Sequence, residues 1–207
     1  AAANEQSTLP TGLQLGLGVR TVATSRSFIQ GSMQQTNNQL DLAINGGGFF
    51  QVTMPDGTLG YTRDGTFQVN SAGQLVNSSG LAVANGITLP AGAKNVSVAS
   101  DGTVSVTVSG SATPQTVGTI AMAAFINPAG LEPKGQNIFA ETAASGTPTS
   151  GTPGTNGLGL IMQGYLETSN VNVVQELVSM IQTQRAYELN SKAVQTSDQM
   201  LQKLAQL

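Results

Sequence analysis

The residues in this chain that could do chemistry are few. Asp56 and Asp64 in "PDGTLGYTRDGTF" are the two carboxylates a glycosidase would need. Each opens an Asp-Gly-Thr triplet, where aspartate is favoured because its side chain bonds the backbone two residues on. A turn role is therefore expected, and catalysis would require the pair to share a cleft with one pKa raised. "NGGGFF" (45–50) carries the glycines of a phosphate loop. It lacks the Lys-Ser/Thr ending and runs into a strand pattern, so a tight bend with Phe49 and Phe50 buried is expected instead. Arg63 adjoins Asp64 and is read as a turn-stabilising pair with it. No His and no Cys occur anywhere. That removes the usual ligands of zinc, haem and iron–sulfur groups and the Ser–His and Cys–His nucleophile pairs. No catalytic residue, metal ligand or cofactor is expected, and the chain is read as a non-enzyme.

The elements around these residues are mostly β. Only 9% of the residues are charged, and the net charge is −3 with no basic run, so the footprint of a nucleic-acid binder is missing. No apolar run of about 18 residues suggests a transmembrane helix. The chain begins "AAANEQSTLP" without Met and is expected to be a trimmed piece. Residues 1–34 read as an extended connecting arm, in which Leu9, Leu13, Leu15, Leu17 and Val19 are apolar and the last four alternate with polar or Gly residues. Residues 35–144 read as a hairpin-rich β domain. Asp-Gly turns are expected at 56–57, 64–65 and 101–102, and an Asn-Gly turn at 85–86. "SGTPTSGTPGTNGLG" (145–159) reads as a boundary or exposed loop, and 145–171 as that loop plus a return. The fold class is thus mainly β with a long C-terminal helix.

That helix is expected over 172–207, with Asn172 as N-cap and Gln175 three residues later. Glu176 and Lys203 suit the helix dipole at its two ends. Read in alternating steps of four and three, it presents Val173, Leu177, Met180, Gln184, Tyr187, Ser191, Val194, Asp198, Leu201 and Ala205. This is a coiled-coil seam with polar interruptions at Gln184, Ser191 and Asp198, which would fix register. Val174, Val178, Ile181 and Leu204 widen the apolar face. Alone such a helix is only marginally stable. Packing on its own β domain and packing on helices from elsewhere both remain open at this point; the length favours the second.

Three blocks resemble, in order, signatures of the bacterial flagellar rod and hook (axial) proteins. They are "QTNNQLDLAINGGGFFQV", "YTRDGTFQVNSAGQLVNSSGLAV" and "QGYLETSNVNVVQELVSMIQTQRAYELNSKAVQTSDQML". "STLPTGLQLGLGVR" is similar to the stretch that marks the distal rod subunit in that family. The resemblance implies a rigid helical homopolymer that transmits torque, with paired terminal helices as an inner coiled-coil layer and β domains outside. Here Val173–Leu207 would be the C-terminal half of that layer, and the family's N-terminal helix is absent. Implied partners are further copies, the proximal rod, the hook or hook–rod junction, and surrounding ring proteins. The implied location is the periplasm-spanning basal body, reached by flagellar type III export. A hook or proximal rod subunit is the alternative within the family. Outside it stands a secreted β-rich carbohydrate-binding or adhesin module, which has little use for a partnerless helix.

Overall fold

The computed structural model describes residues 26–110 and 113–204. The arm residues Leu9, Leu13, Leu15, Leu17 and Val19 lie outside the described residues, as do Ala205 and the side chains of Leu201 and Leu204. Fifteen strands and one long helix are described.

The centre of the body is a strand pair made by the Gly-rich bend and the first Asp-Gly turn. Strands β2 (Leu42–Asn45), β3 (Phe49–Thr53) and β4 (Leu59–Thr62) follow β1 (Met33–Gln35). β3 and β4 pair antiparallel, Phe50 opposite Thr62, around Asp56-Gly57. Next come β5 (Phe67–Val69), β6 (Leu75–Asn77), β7 (Ala93–Val98), β8 (Thr103–Val108) and β9 (Gln115–Thr119). The order then runs β10 (Met122–Ala124), β11 (Glu132–Gly135), β12 (Ile138–Ala140) and β13 (Thr149–Gly151). A six-stranded sheet has the order β11-β12-β4-β3-β10-β13, beside a three-stranded β7-β8-β9 sheet and a β5-β6 pair.

Two adjacent phenylalanines explain why that sheet is covered on both faces. Successive strand side chains point to opposite sides. Phe50 enters a core with Leu42, Ile44, Phe67, Ile87, Val104 and Met122, whereas Phe49 enters another with Tyr61, Ala123, Phe125 and Leu131. On the neighbouring strand Met122 and Ala123 divide in the same way. Edge-to-face rings close both sides, Phe50 on Phe67 at 5.2 Å and Tyr61 on Phe125 at 4.7 Å between centroids.

The expected turns at 56–57 and 101–102 are hairpins, and Asn85 and Gly86 both take positive φ in a turn. Asp64-Gly65 is different. It joins β4 to β5, strands that pair with other partners, so the chain crosses between sheets there. Gly65 is needed because its backbone lies against Leu42: its carbonyl accepts the Leu42 N–H at 3.0 Å, and a Cβ would run into the Leu42 carbonyl.

The Gly/Ser/Thr/Pro-rich segment read as a boundary or exposed loop is partly structural. Its β13 extends the six-stranded sheet from β10, Leu158 is buried, and the Gly159 N–H bonds the Gly47 carbonyl at 2.7 Å. Strand β14 (Leu160–Gln163) then pairs with β2, and β15 (Tyr165–Glu167) pairs with β1. The chain thus enters and leaves the body through one antiparallel stem, β1/β15, before helix α1 (Val173–Leu204).

Candidate assembly surfaces

Helix α1 has the features its sequence calls for. The Asn172 side chain accepts the N–H groups of Val174 and Gln175 at 3.1 and 3.3 Å, and its carbonyl accepts the Glu176 N–H at 3.0 Å. At 1.5 Å per residue the 32 residues extend about 48 Å. From Val171 to Met200 every residue is exposed. The seam residues Val173, Leu177, Met180, Tyr187 and Val194 are 52–76% exposed, and Gln184 is exposed with them. Val174, Val178, Ile181, Leu189 and Met200 are exposed as well. Packing of the helix on its own β body is therefore excluded over this stretch. The apolar residues are densest near the stem: Val171, Val173, Val174, Leu177, Val178, Met180 and Ile181 fall within three turns.

The stem that carries this helix is held by a part-buried ion pair. The Arg63 Nε and Nη2 atoms both lie 2.8 Å from Glu167 Oε2. The other carboxylate oxygen, Oε1, accepts the Gly31 N–H at 2.8 Å. The same guanidinium donates to the carbonyls of Gly48 at 2.8 Å, Gly46 at 3.2 Å and Ile44 at 3.3 Å. The side chains are only 17% and 12% exposed. A charge in that position is tolerable when its remaining donors are satisfied, and here they are. Gln30 reinforces the junction, accepting the Gly46 N–H at 3.0 Å. Gly31 must be glycine, since a Cβ would meet the Thr168 carbonyl oxygen. Beyond β1, Asn170 Nδ2 bonds the Ile29 carbonyl at 2.9 Å. Phe28 packs edge-on against Phe49 and Phe139 at 5.6 and 5.2 Å.

This geometry corrects the reading of Arg63 as a partner of Asp64. Its carboxylate partner is 104 residues on, and Asp64 instead accepts the Thr66 N–H and hydroxyl at 3.0 and 2.8 Å. Sequence reasoning missed Glu167 because no local signal links the two positions. The clasp also disposes of a phosphate loop, because the Gly46 and Gly48 carbonyls converge on a cation where a phosphate would need N–H donors.

The carboxylates have turn roles. Asp56 Oδ1 accepts the Thr58 hydroxyl at 2.6 Å and its N–H at 2.9 Å. Those bonds, the hydroxyl foremost, hold the Asp56 pKa below the usual 3.8. Asp101 is lowered likewise, first by the Thr103 N–H and then by its hydroxyl. A general acid needs the opposite shift. Tyr61 is pushed up to about 12, by burial first and then by the charge and hydrogen bond of Glu141. Among the described residues no group of His, Cys, Asp and Glu could hold a metal, and no helix is long and apolar enough to cross a membrane.

Comparison with known proteins finds likenesses at both parts of this arrangement. Residues 43–106, the bend and much of the β body, match the family of the flagellar hook protein FlgE/F/G D1 domain. Residues 162–207, the stem return and the helix, match the C-terminal family of the flagellar basal body rod FlgEFG proteins. Flagellar basal-body rod protein FlgG of Buchnera aphidicola subsp. Acyrthosiphon pisum is 54% identical over 98% of this chain and 78% of its own length. Its counterpart in the Schizaphis graminum subspecies is 55% identical over 97% of this chain and 77% of its own length. The flagellar hook protein FlgE of Borreliella burgdorferi is 45% identical, but over only 44% of this chain and 21% of its own length. With over half its residues shared across nearly its whole length, this chain belongs to the flagellar basal-body rod protein FlgG family.

Proposed function

We propose that the chain is a drive-shaft subunit of the distal rod, in which copies stack helically and transmit torque without bending. The observation that carries this is the division of labour in the fold. A body with two buried cores holds, through one clasped stem, a helix of about 48 Å whose apolar face has no cover among the described residues. Each large side chain of that face gains roughly 1.5–3 kcal/mol on full burial. Helices of neighbouring copies supply that burial in a closed inner layer, with Val173, Leu177, Met180, Tyr187, Val194 and Leu201 in the seam. Gln184 sets register there. Likeness to the hook protein stops short of half the chain, which does not favour the hook reading.

In this reading the arm residues Leu9, Leu13, Leu15, Leu17 and Val19 add strand-like contacts between copies. The neighbours along the axis are the proximal rod and the hook or its junction, and ring proteins surround the shaft. Export is by the flagellar type III route. Deleting residues 5–18 from the complete rod protein gives a more compliant polymer; unchanged bending stiffness would remove the arm from the account. The seam itself is tested by Leu177→Asp in the complete rod protein, with isolated basal bodies imaged by electron microscopy. Rods that end early are expected. Full-length rods bearing hooks would contradict the seam.

A further inference from the structure

The sequence holds three Asn-Gly steps, Asn45-Gly46, Asn85-Gly86 and Asn156-Gly157, and all three asparagines are exposed. An Asn-Gly step is chemically labile because a glycine nitrogen, unhindered by a Cβ, can attack the preceding carboxamide. The structure treats the three nitrogens differently. The Gly46 N–H is held by Gln30 Oε1 at 3.0 Å, at the end of a strand paired with β14. The Gly86 N–H closes a turn onto the Val83 carbonyl at 3.2 Å, and the Asn85 amide is itself anchored to the Thr119 carbonyl at 3.3 Å.

Asn156 and Gly157 occupy the two central positions of a turn in which the Leu158 N–H bonds the Thr155 carbonyl at 2.8 Å. Both have positive φ, 50° and 78°, as the hairpin-type Asn-Gly turn requires. In such a turn the hydrogen bond uses the N–H of the last residue, and the central N–H is left over. Among the described residues none accepts the Gly157 N–H. Nothing lies within 4 Å of the site of a Cβ on Gly157, so the peptide has room to rotate.

We propose that Asn156 is the site at which the native protein spontaneously deamidates. The Gly157 nitrogen gives its proton to solvent base and bonds to Cγ of Asn156. The Cγ–Nδ2 bond breaks, and ammonia leaves with a proton taken from water. The resulting succinimide is opened by water at either carbonyl, giving aspartate or isoaspartate, with no change of oxidation state. The product puts a carboxylate, and in the isoaspartate case an extra backbone atom, into the loop whose Leu158 is buried and whose Gly159 bonds the Gly47 carbonyl. The inference stands independently of the rod reading.

The test is ageing of the native chain in mildly alkaline buffer, with peptide mapping by mass spectrometry at all three asparagines. A parallel sample is aged in concentrated urea. Asn156 is expected to convert at least about fivefold faster than Asn45 or Asn85 in the native protein, the factor that one retained hydrogen bond is worth. In urea the three rates converge. Native conversion of Asn45 or Asn85 as fast as Asn156 would overturn the proposal, as would Asn156→Gln leaving the total conversion unchanged.

Discussion

The β body and helix α1 solve opposite problems with the same kinds of side chain. In the body, Phe50, Ile44, Val52 and Met122 have no solvent exposure, and no buried side-chain polar atom among the described residues lacks a partner. In the helix, Leu177, Ile181, Met180 and Val194 are at least 48% exposed. Native proteins seldom expose so continuous an apolar face unless it is an interaction site. The body's apolar residues stabilise a fold, whereas in the proposed reading the helix's stabilise an assembly. Substitutions in the two regions should therefore separate cleanly into different measurements.

The largest separation is between two truncations. Phe50→Ala should lower the unfolding free energy of the body by about 3–5 kcal/mol, measured by denaturant titration. Leu177→Ala, for all its bulk, should leave that titration within about 0.5 kcal/mol of the parent and weaken only association. A strong effect of Leu177→Ala on that titration would collapse the distinction.

The clasp sits at the border of the two regions and should come next in size. Arg63→Met leaves Glu167 part-buried without its cation and strips donors from the Gly46 and Gly48 carbonyls. A loss of about 2–4 kcal/mol is expected. Hydrogen exchange should show it first at Gly31 and Thr168, in the stem. A loss confined to the far β7-β8-β9 sheet would show that Arg63 does not govern the stem.

That clasp also marks how far the sequence could be read. The helix, the Asn172 cap and the hairpin turns at Asp56 and Asp101 were legible because their causes are local, in apolar spacing, a capping side chain and turn residues. Arg63 could not be placed, because its ligands come from Glu167 and from carbonyls of the Gly-rich bend, which only the folded topology brings together. Asp64-Gly65 carries the same triplet as the two hairpins, yet its flanking strands find other partners. Likewise "TSG" at 149–151 has no strand signature; it is drawn into the sheet by pairing with β10. The arm residues fall outside what the structure describes.

The smallest effects concern pH and separate the regions again. Asp56 and Asp101 are held below 3.8 in the fold. Their contribution is therefore complete above the unfolded pKa and is lost as pH falls through the lowered values. Tyr61 is raised from 10 to about 12, so the fold favours its neutral form. Body stability should fall as pH rises past 10, when only the unfolded tyrosine ionises, and level off above about 12. Melting curves across pH should show both edges for the body. Tyr61→Phe should flatten the alkaline edge, and an unaltered edge would assign it elsewhere.

The central claim, that the helix face is an assembly surface, is tested most directly by sedimentation. The chain would be compared with one ending at Asn170 over a wide concentration range. The account predicts that the average mass of the full chain rises with concentration while the shortened chain stays monomeric and keeps its β body. Monomers throughout for both chains, with the helix signal undiminished at high dilution, would contradict it.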